Sequence, residues 1–146
     1  MNVTYLYQNN QPDYKHESII TPLAKAVSKI IELPDAIEVC LYDLGKSVYG
    51  GIDLYRVNRI GINYTLPYDG VAIILVHELI HVCQKHTGRL RITARGHFYW
   101  HGILITKKLS EDLAYSEYMN LPWELDAYNK QHKVLSQALD ILITKK

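Results

Sequence analysis

Apolar positions along the chain recur with two periods. From Ser18 to Glu32, Ile19, Leu23, Ala26, Val27, Ile30 and Ile31 follow helical spacing, and Pro34 stops that helix. Before it, Val3, Tyr5 and Tyr7 alternate as an edge strand would; after it, Ile37, Val39 and Leu41 alternate as a short strand. Gly45, Gly50 and Gly51 mark turns, and Ile52 to Tyr64 reads as one or two strands with a bend at Arg56, Asn58 and Arg59. A small antiparallel sheet is expected here. Pro67-Tyr68-Asp69-Gly70 opens a helix over Val71 to His86, with Gly88 as its cap. Arg89 to Ala94 and Phe98 to Thr106 are strand-like, joined at Arg95-Gly96, with a second turn at His101-Gly102. Glu111 to Thr144 is helical but interrupted at Leu121-Pro122, so Trp123 to Ile143 forms one long helix. The expected fold class is α+β in a single domain over residues 1–146. A small, mostly antiparallel sheet packs on a central helix, followed by a β-hairpin and a second helix.

Composition narrows the function. Hydrophobic residues make up 48% and charged residues 21%, ordinary globular values that argue against disorder and fibrous repeats. Sixteen basic residues against 15 acidic ones give a net charge of +1, which argues against a nucleic-acid partner. The basic cluster Lys85, Arg89, Arg91 and Arg95, near Phe98, Tyr99 and Trp100, reads as a solvated face on that ground. The longest apolar run, Val71 to Val76, is too short to cross a bilayer, and the N-terminus lacks a charged start followed by an apolar segment. No membrane partner is expected. Cys40 and Cys83 sit in apolar surroundings and read as buried free thiols in a reducing compartment, the cytoplasm.

The chemistry concentrates in Val71-Ala-Ile-Ile-Leu-Val-His77-Glu78-Leu-Ile-His81-Val-Cys-Gln84. His77 and His81 are four apart on a helix and lie one above the other on one face, where two imidazoles converge on one Zn2+. Glu78 sits about 100° around the helix from His77, badly placed to ligate but well placed to take a proton from a water that the metal acidifies. Ile73, Ile74, Leu75, Val76, Leu79, Ile80, Val82 and Cys83 cover nearly the whole circumference, so this helix is buried. Two histidines and a glutamate there cost several kcal/mol unless they are paired or bound to a metal.

This His-Glu-x-x-His helix resembles that of the zincin metallopeptidases. The metzincin branch needs a Gly and a third His where this chain has Gln84 and Thr87. Tyr118-Met-Asn-Leu121-Pro122-Trp123-Glu124-Leu-Asp126-Ala127 is similar to an element of small gluzincin-like metallopeptidases, many of them phage-encoded, and Phe98-Tyr-Trp100-His-Gly102 resembles their aromatic hairpin. That resemblance implies a third ligand at Glu124 on a second helix, where Ala127 shares its face and lets the two helices approach. Asp126 points about 200° away from Glu124 and reads as a solvated residue, as one that supports the ligands, or as a weaker alternative ligand. His97, in Arg95-Gly96-His97, is the other alternative: it lies 16 residues after His81, a setting similar to SprT-like proteases. His16, His86 and His132 read as surface residues. His97 and His101, four apart on a strand, stand about 13 Å from each other and do not share a metal unless the turn brings them close.

The resemblance implies a zinc-dependent metallohydrolase, a peptidase acting on peptide or protein, in the cytoplasm of a bacterial host if phage-encoded. His77, His81 and Glu124 hold Zn2+ and Glu78 is the general base. Tyr118 is the donor for the developing oxyanion, chosen from Tyr115, Tyr118, Tyr128, His97 and His101. The strand ending near Tyr64 offers an edge for an extended peptide. Two other functions stand beside it: a zinc-containing, non-catalytic binding or inhibitor module, and a SprT-like protease of DNA-bound proteins.

Overall fold

The computed structural model describes residues 1–8, 12–43, 50–52, 58–106 and 118–144. The elements run β1 (Asn2–Tyr7), α1 (Tyr14–Val27), β2 (Ala36–Tyr42), β3 (Gly50–Ile52), β4 (Arg59–Asn63), α2 (Tyr68–His86), β5 (Leu90–Ile92), β6 (Phe98–Trp100), β7 (Ile103–Thr106) and α3 (Pro122–Thr144). Helices and strands mix as an α+β chain, but the first sheet is not the antiparallel one expected. β1, β2 and β4 run parallel, β3 pairs antiparallel with β4, and the order is β1-β2-β4-β3. The reason lies in the order of elements. α1 carries the chain from the end of β1 back to the start of β2, and a helical crossover joins strands that point the same way. β4 is also no edge. β3 covers it, so the strand ending near Tyr64 has neighbours on both sides.

Alternation sorts the faces of this sheet. Val3, Tyr5 and Tyr7 lie beside Ile37, Val39 and Leu41, which lie beside Ile60 and Ile62. This face enters one core with Ile20, Leu23 and Val27 of α1, Val71, Leu75 and Leu79 of α2, and Ala127, Val134 and Ala138 of α3. Thr4, Glu38 and Arg59 form a row on the opposite face, the last two as an ion pair.

Local signals set the helix ends. α1 starts at Tyr14 rather than Ser18 because the Asp13 side chain accepts the N–H of His16 at 3.1 Å. It ends at Val27, well before Pro34, with the Ser28 N–H donating to the Ala24 carbonyl at 3.0 Å. His16, expected at the surface, is buried. Its Nδ1 lies 2.7 Å from the Asp13 carboxylate and its ring packs edge-on against Tyr64 and Tyr68. His86 and His132 are exposed. α2 ends at His86 with Thr87 as its cap, and Gly88 follows with a φ of +80° that suits a residue without Cβ.

β5, β6 and β7 form a separate antiparallel sheet with turns at Gly96 and at His101-Gly102. Phe98 of β6 stacks on Trp123 with ring centres 5.3 Å apart, in a small second core with Leu90. That stack pins the first turn of α3 and with it the neighbouring Glu124. Gly45, the bend at Arg56 and residues 111–117, including Tyr115, lie outside the described residues. Cys40 and Cys83 are buried free thiols. Among the described residues no helix is long and apolar enough to cross a membrane.

Candidate metal centre

The centre lies in the seam between α2 and α3. α2 carries His77, Glu78 and His81, and α3 supplies Glu124 from its first turn. All four are buried. His81 Nε2 lies 3.1 Å from His77 Nε2, 2.7 Å from Glu124 Oε1 and 3.1 Å from Glu124 Oε2. His77 Nε2 is 3.5 Å from Glu124 Oε2. One ligand atom from each of His77, His81 and Glu124 falls within 4.8 Å of the others. Two nitrogens bound to one tetrahedral zinc stand about 3.3 Å apart, so the spacing of the histidines suits a shared ion. Two histidines and a carboxylate are also a donor set that zinc takes. Glu78 adds a second sign of fit. Its Oε2 is buried and has no hydrogen-bond partner among the described residues, a costly state for a carboxylate with nothing beside it.

The outer nitrogens of both rings are held as well. His81 Nδ1 lies 2.8 Å from the side-chain oxygen of Gln84, and His77 Nδ1 lies 2.7 Å from that of Gln131. The Gln84 amide nitrogen donates to the Trp123 carbonyl at 2.9 Å and to Asp126 Oδ2 at 2.8 Å. Asp126 meets Lys130 at 2.6 Å and Arg89 at 3.5 Å. Tyr128 lays its ring against His77, with centres 4.7 Å apart.

Electrostatics split the two glutamates. Burial pushes the Glu78 carboxyl up to about 7, against the pull of His81 and His77 and helped by the charge of Glu124. Burial also acts to raise Glu124, but hydrogen bonds from His77 and His81 overcome it and hold that carboxyl at about 2. Burial acts to lower His81, yet the contact with Glu124 and the charge of Glu78 raise it. Two neighbouring carboxyls thus take different parts, Glu124 facing the histidines as an anion and Glu78 able to hold a proton. Tyr118 donates its hydroxyl to Glu124 Oε1 at 3.2 Å. Burial and the charges of Glu124 and Glu78 keep that phenol protonated far above its ordinary range.

Of the three candidates for a third ligand, the structure brings Glu124 to the histidines. His97 sits in the turn between β5 and β6, and Asp126 bonds to Gln84, Arg89 and Lys130; neither joins the group. Tyr118 lies beside the group through Glu124, and His101 stands at a turn with φ +50°. The contacts of Gln84 and Gln131 with the two histidines were not foreseen from the sequence. Gln131 lies two helical turns after Glu124 on the same face, a spacing that flags it. Comparison with models of known protein families, with curated proteins and with solved structures finds no match to this chain.

Proposed function

We propose that the chain is a zinc-dependent metallohydrolase of the zincin type that cleaves peptide bonds in a peptide or protein substrate, with His77, His81 and Glu124 holding Zn2+. One observation carries the reading. Three ligand atoms converge, while the adjacent Glu78 keeps a buried carboxylate oxygen without a partner among the described residues. The resemblance to gluzincin-like peptidases, strongest at residues 71–84 and 118–128, supports it. Zinc bound there would supply a Lewis acid that polarises a carbonyl and acidifies water. Glu78 accepts the proton of the attacking water through its free oxygen. Tyr118, whose phenol stays protonated, donates to the oxyanion of the hydrolysed carbonyl. The two unpaired thiols fit the cytoplasm as the place of action.

Burial favours a second reading. His77, His81 and Glu124 are only 6%, 4% and 2% exposed, and structural zinc sites are closed whereas catalytic ones keep an open position. In that case the metal holds the α2–α3 seam of a binding module. Zinc content and cleavage of a denatured protein separate the two. The wild type is expected to hold zinc and to cleave; Glu124→Ala loses the metal. Glu78→Gln keeps the metal while cleavage falls by about 10²–10⁴-fold. Zinc without cleavage in the wild type establishes the binding module. Zinc lost in His97→Ala but kept in Glu124→Ala, with DNA-dependent cleavage, establishes the SprT-like reading. A wild type that takes up no zinc overturns all three.

A further inference from the structure

We infer that Gln84 and Gln131 are positioning residues that fix which ring nitrogen each histidine turns toward Zn2+, an inference that rests on the metal reading above. Gln84 is fully buried, and both hydrogens of its amide are taken, one by the Trp123 carbonyl and one by the Asp126 carboxylate. That sets the orientation of the amide, which an isolated Gln would leave open. The group facing His81 Nδ1 is therefore the amide oxygen, at 2.8 Å. An oxygen can only accept, so Nδ1 carries a hydrogen, and Nε2, on the side of His77 Nε2 and Glu124, is the nitrogen that would face the metal once its own hydrogen is displaced.

Gln131 faces His77 from the other helix, its side-chain oxygen 2.7 Å from Nδ1, and the same assignment is proposed there on that contact alone. The two locks also tie α2 to α3. Gln84 reaches from α2 to the backbone and side chain of the first turn of α3, and Gln131 reaches back from α3 to α2. An outer partner of this kind orients a ligating imidazole and raises its basicity, and its loss typically weakens metal binding about 10–100-fold.

The two glutamines differ in what is asked of them, and the difference makes the test specific. His77 needs only an acceptor at position 131, which a carboxylate provides. Position 84 needs an acceptor and two donors; a carboxylate there has no hydrogens to give and faces both the Asp126 carboxylate and the Trp123 carbonyl. The experiment measures the Zn2+ dissociation constant by competition with a chromophoric chelator in the wild type, Gln131→Leu, Gln131→Glu, Gln84→Met and Gln84→Glu. Nitrogen NMR of the zinc-loaded proteins reports which ring nitrogen binds the metal and whether the Nδ1 hydrogen resists solvent exchange.

Binding about 10–100-fold weaker in Gln131→Leu and Gln84→Met, restored in Gln131→Glu but not in Gln84→Glu, supports the inference, together with exposure of the matching Nδ1 hydrogen. If the Gln84 variants fail to fold, the pair at the partly buried position 131 decides by the same criterion. Equal affinity and unchanged ring signals in the folded variants overturn the inference and leave the metal reading standing. A wild type that binds no zinc overturns the metal reading, and the inference with it.

Discussion

Helices α2 and α3 supply one site on opposite terms. α2 is buried without a break from Leu75 to Gln84. α3 is longer, yet it buries only Trp123, Glu124, Ala127, Val134 and Ala138, and leaves Leu125, Tyr128, Leu139 and Ile143 exposed. A polar residue on α2 has no water to turn to, so His77, Glu78, His81 and Gln84 have to be satisfied by protein or by an ion. On α3 only one stripe looks inward. Glu124, Ala127, Gln131, Val134 and Ala138 follow one another at spacings of three and four, so site residues alternate with small or apolar packing residues. The polar content of α2 is therefore informative because of its surroundings, and that of α3 because of its spacing.

The comparison breaks most readily in the dry part of α2. Leu75 is fully buried in the main core, on the same helix as the histidines but outside their cluster. Leu75→Ala is expected to cost about 2–5 kcal/mol, since the cavity adds to the lost transfer energy. A urea titration would show it as a lowered midpoint with an unchanged slope. A cost under about 1 kcal/mol would mean that the core collapses into the gap, and that α2 is not held as tightly as its burial implies.

Ala127→Leu probes the seam from the α3 side. Ala127 is fully buried on the stripe that meets α2, and a larger side chain there forces the helices apart. Overpacking of this kind costs about 1–3 kcal/mol, and it moves Glu124 away from the histidines, so zinc affinity falls together with thermal stability. Stability lost with zinc affinity intact would show that the first turn of α3, pinned by the Phe98–Trp123 stack, keeps its place when the middle of the helix shifts.

The same contrast explains what was legible in the sequence. Both helices, the strand at Ile37 to Leu41 and the Gly88 cap follow from spacing and local geometry, which one chain carries in full. So does the pairing of His77 with His81, because four residues on a helix define a shared face. Glu124 was reached through its Pro-Trp-Glu setting, and the structure brings it to the pair. The direction of strand pairing was not read correctly. Alternation says which face of a strand is buried but nothing about its neighbour's direction; the strand–helix–strand order of residues 2–42 carried that information. His16 shows a similar limit. A lone histidine in a polar segment looks solvated until the side chains of Tyr64 and Tyr68, about fifty residues on, close over it. The outer partners of the candidate metal ligands fall in the same class. A glutamine becomes meaningful only when the nitrogen it faces is known.

The smallest effect is expected on the outer side of α3. Leu139 leaves 44% of its surface in water, and glutamine has nearly the same helix propensity as leucine. Leu139→Gln is therefore expected to change stability by no more than about 0.5 kcal/mol, measured in the same urea titration as Leu75→Ala. The two leucines sit on long helices of one molecule and differ chiefly in burial, so the ratio of the two effects measures how far the α2–α3 contrast governs the energetics. A cost at Leu139 close to that at Leu75 would mean that the outer stripe is covered in solution. Sedimentation at several protein concentrations would then show a mass that rises with concentration in the wild type and falls back in Leu139→Gln. A small cost with a constant mass would leave the outer side of α3 in water, with Glu124 and Gln131 on the inner stripe, from which they reach His81 and His77.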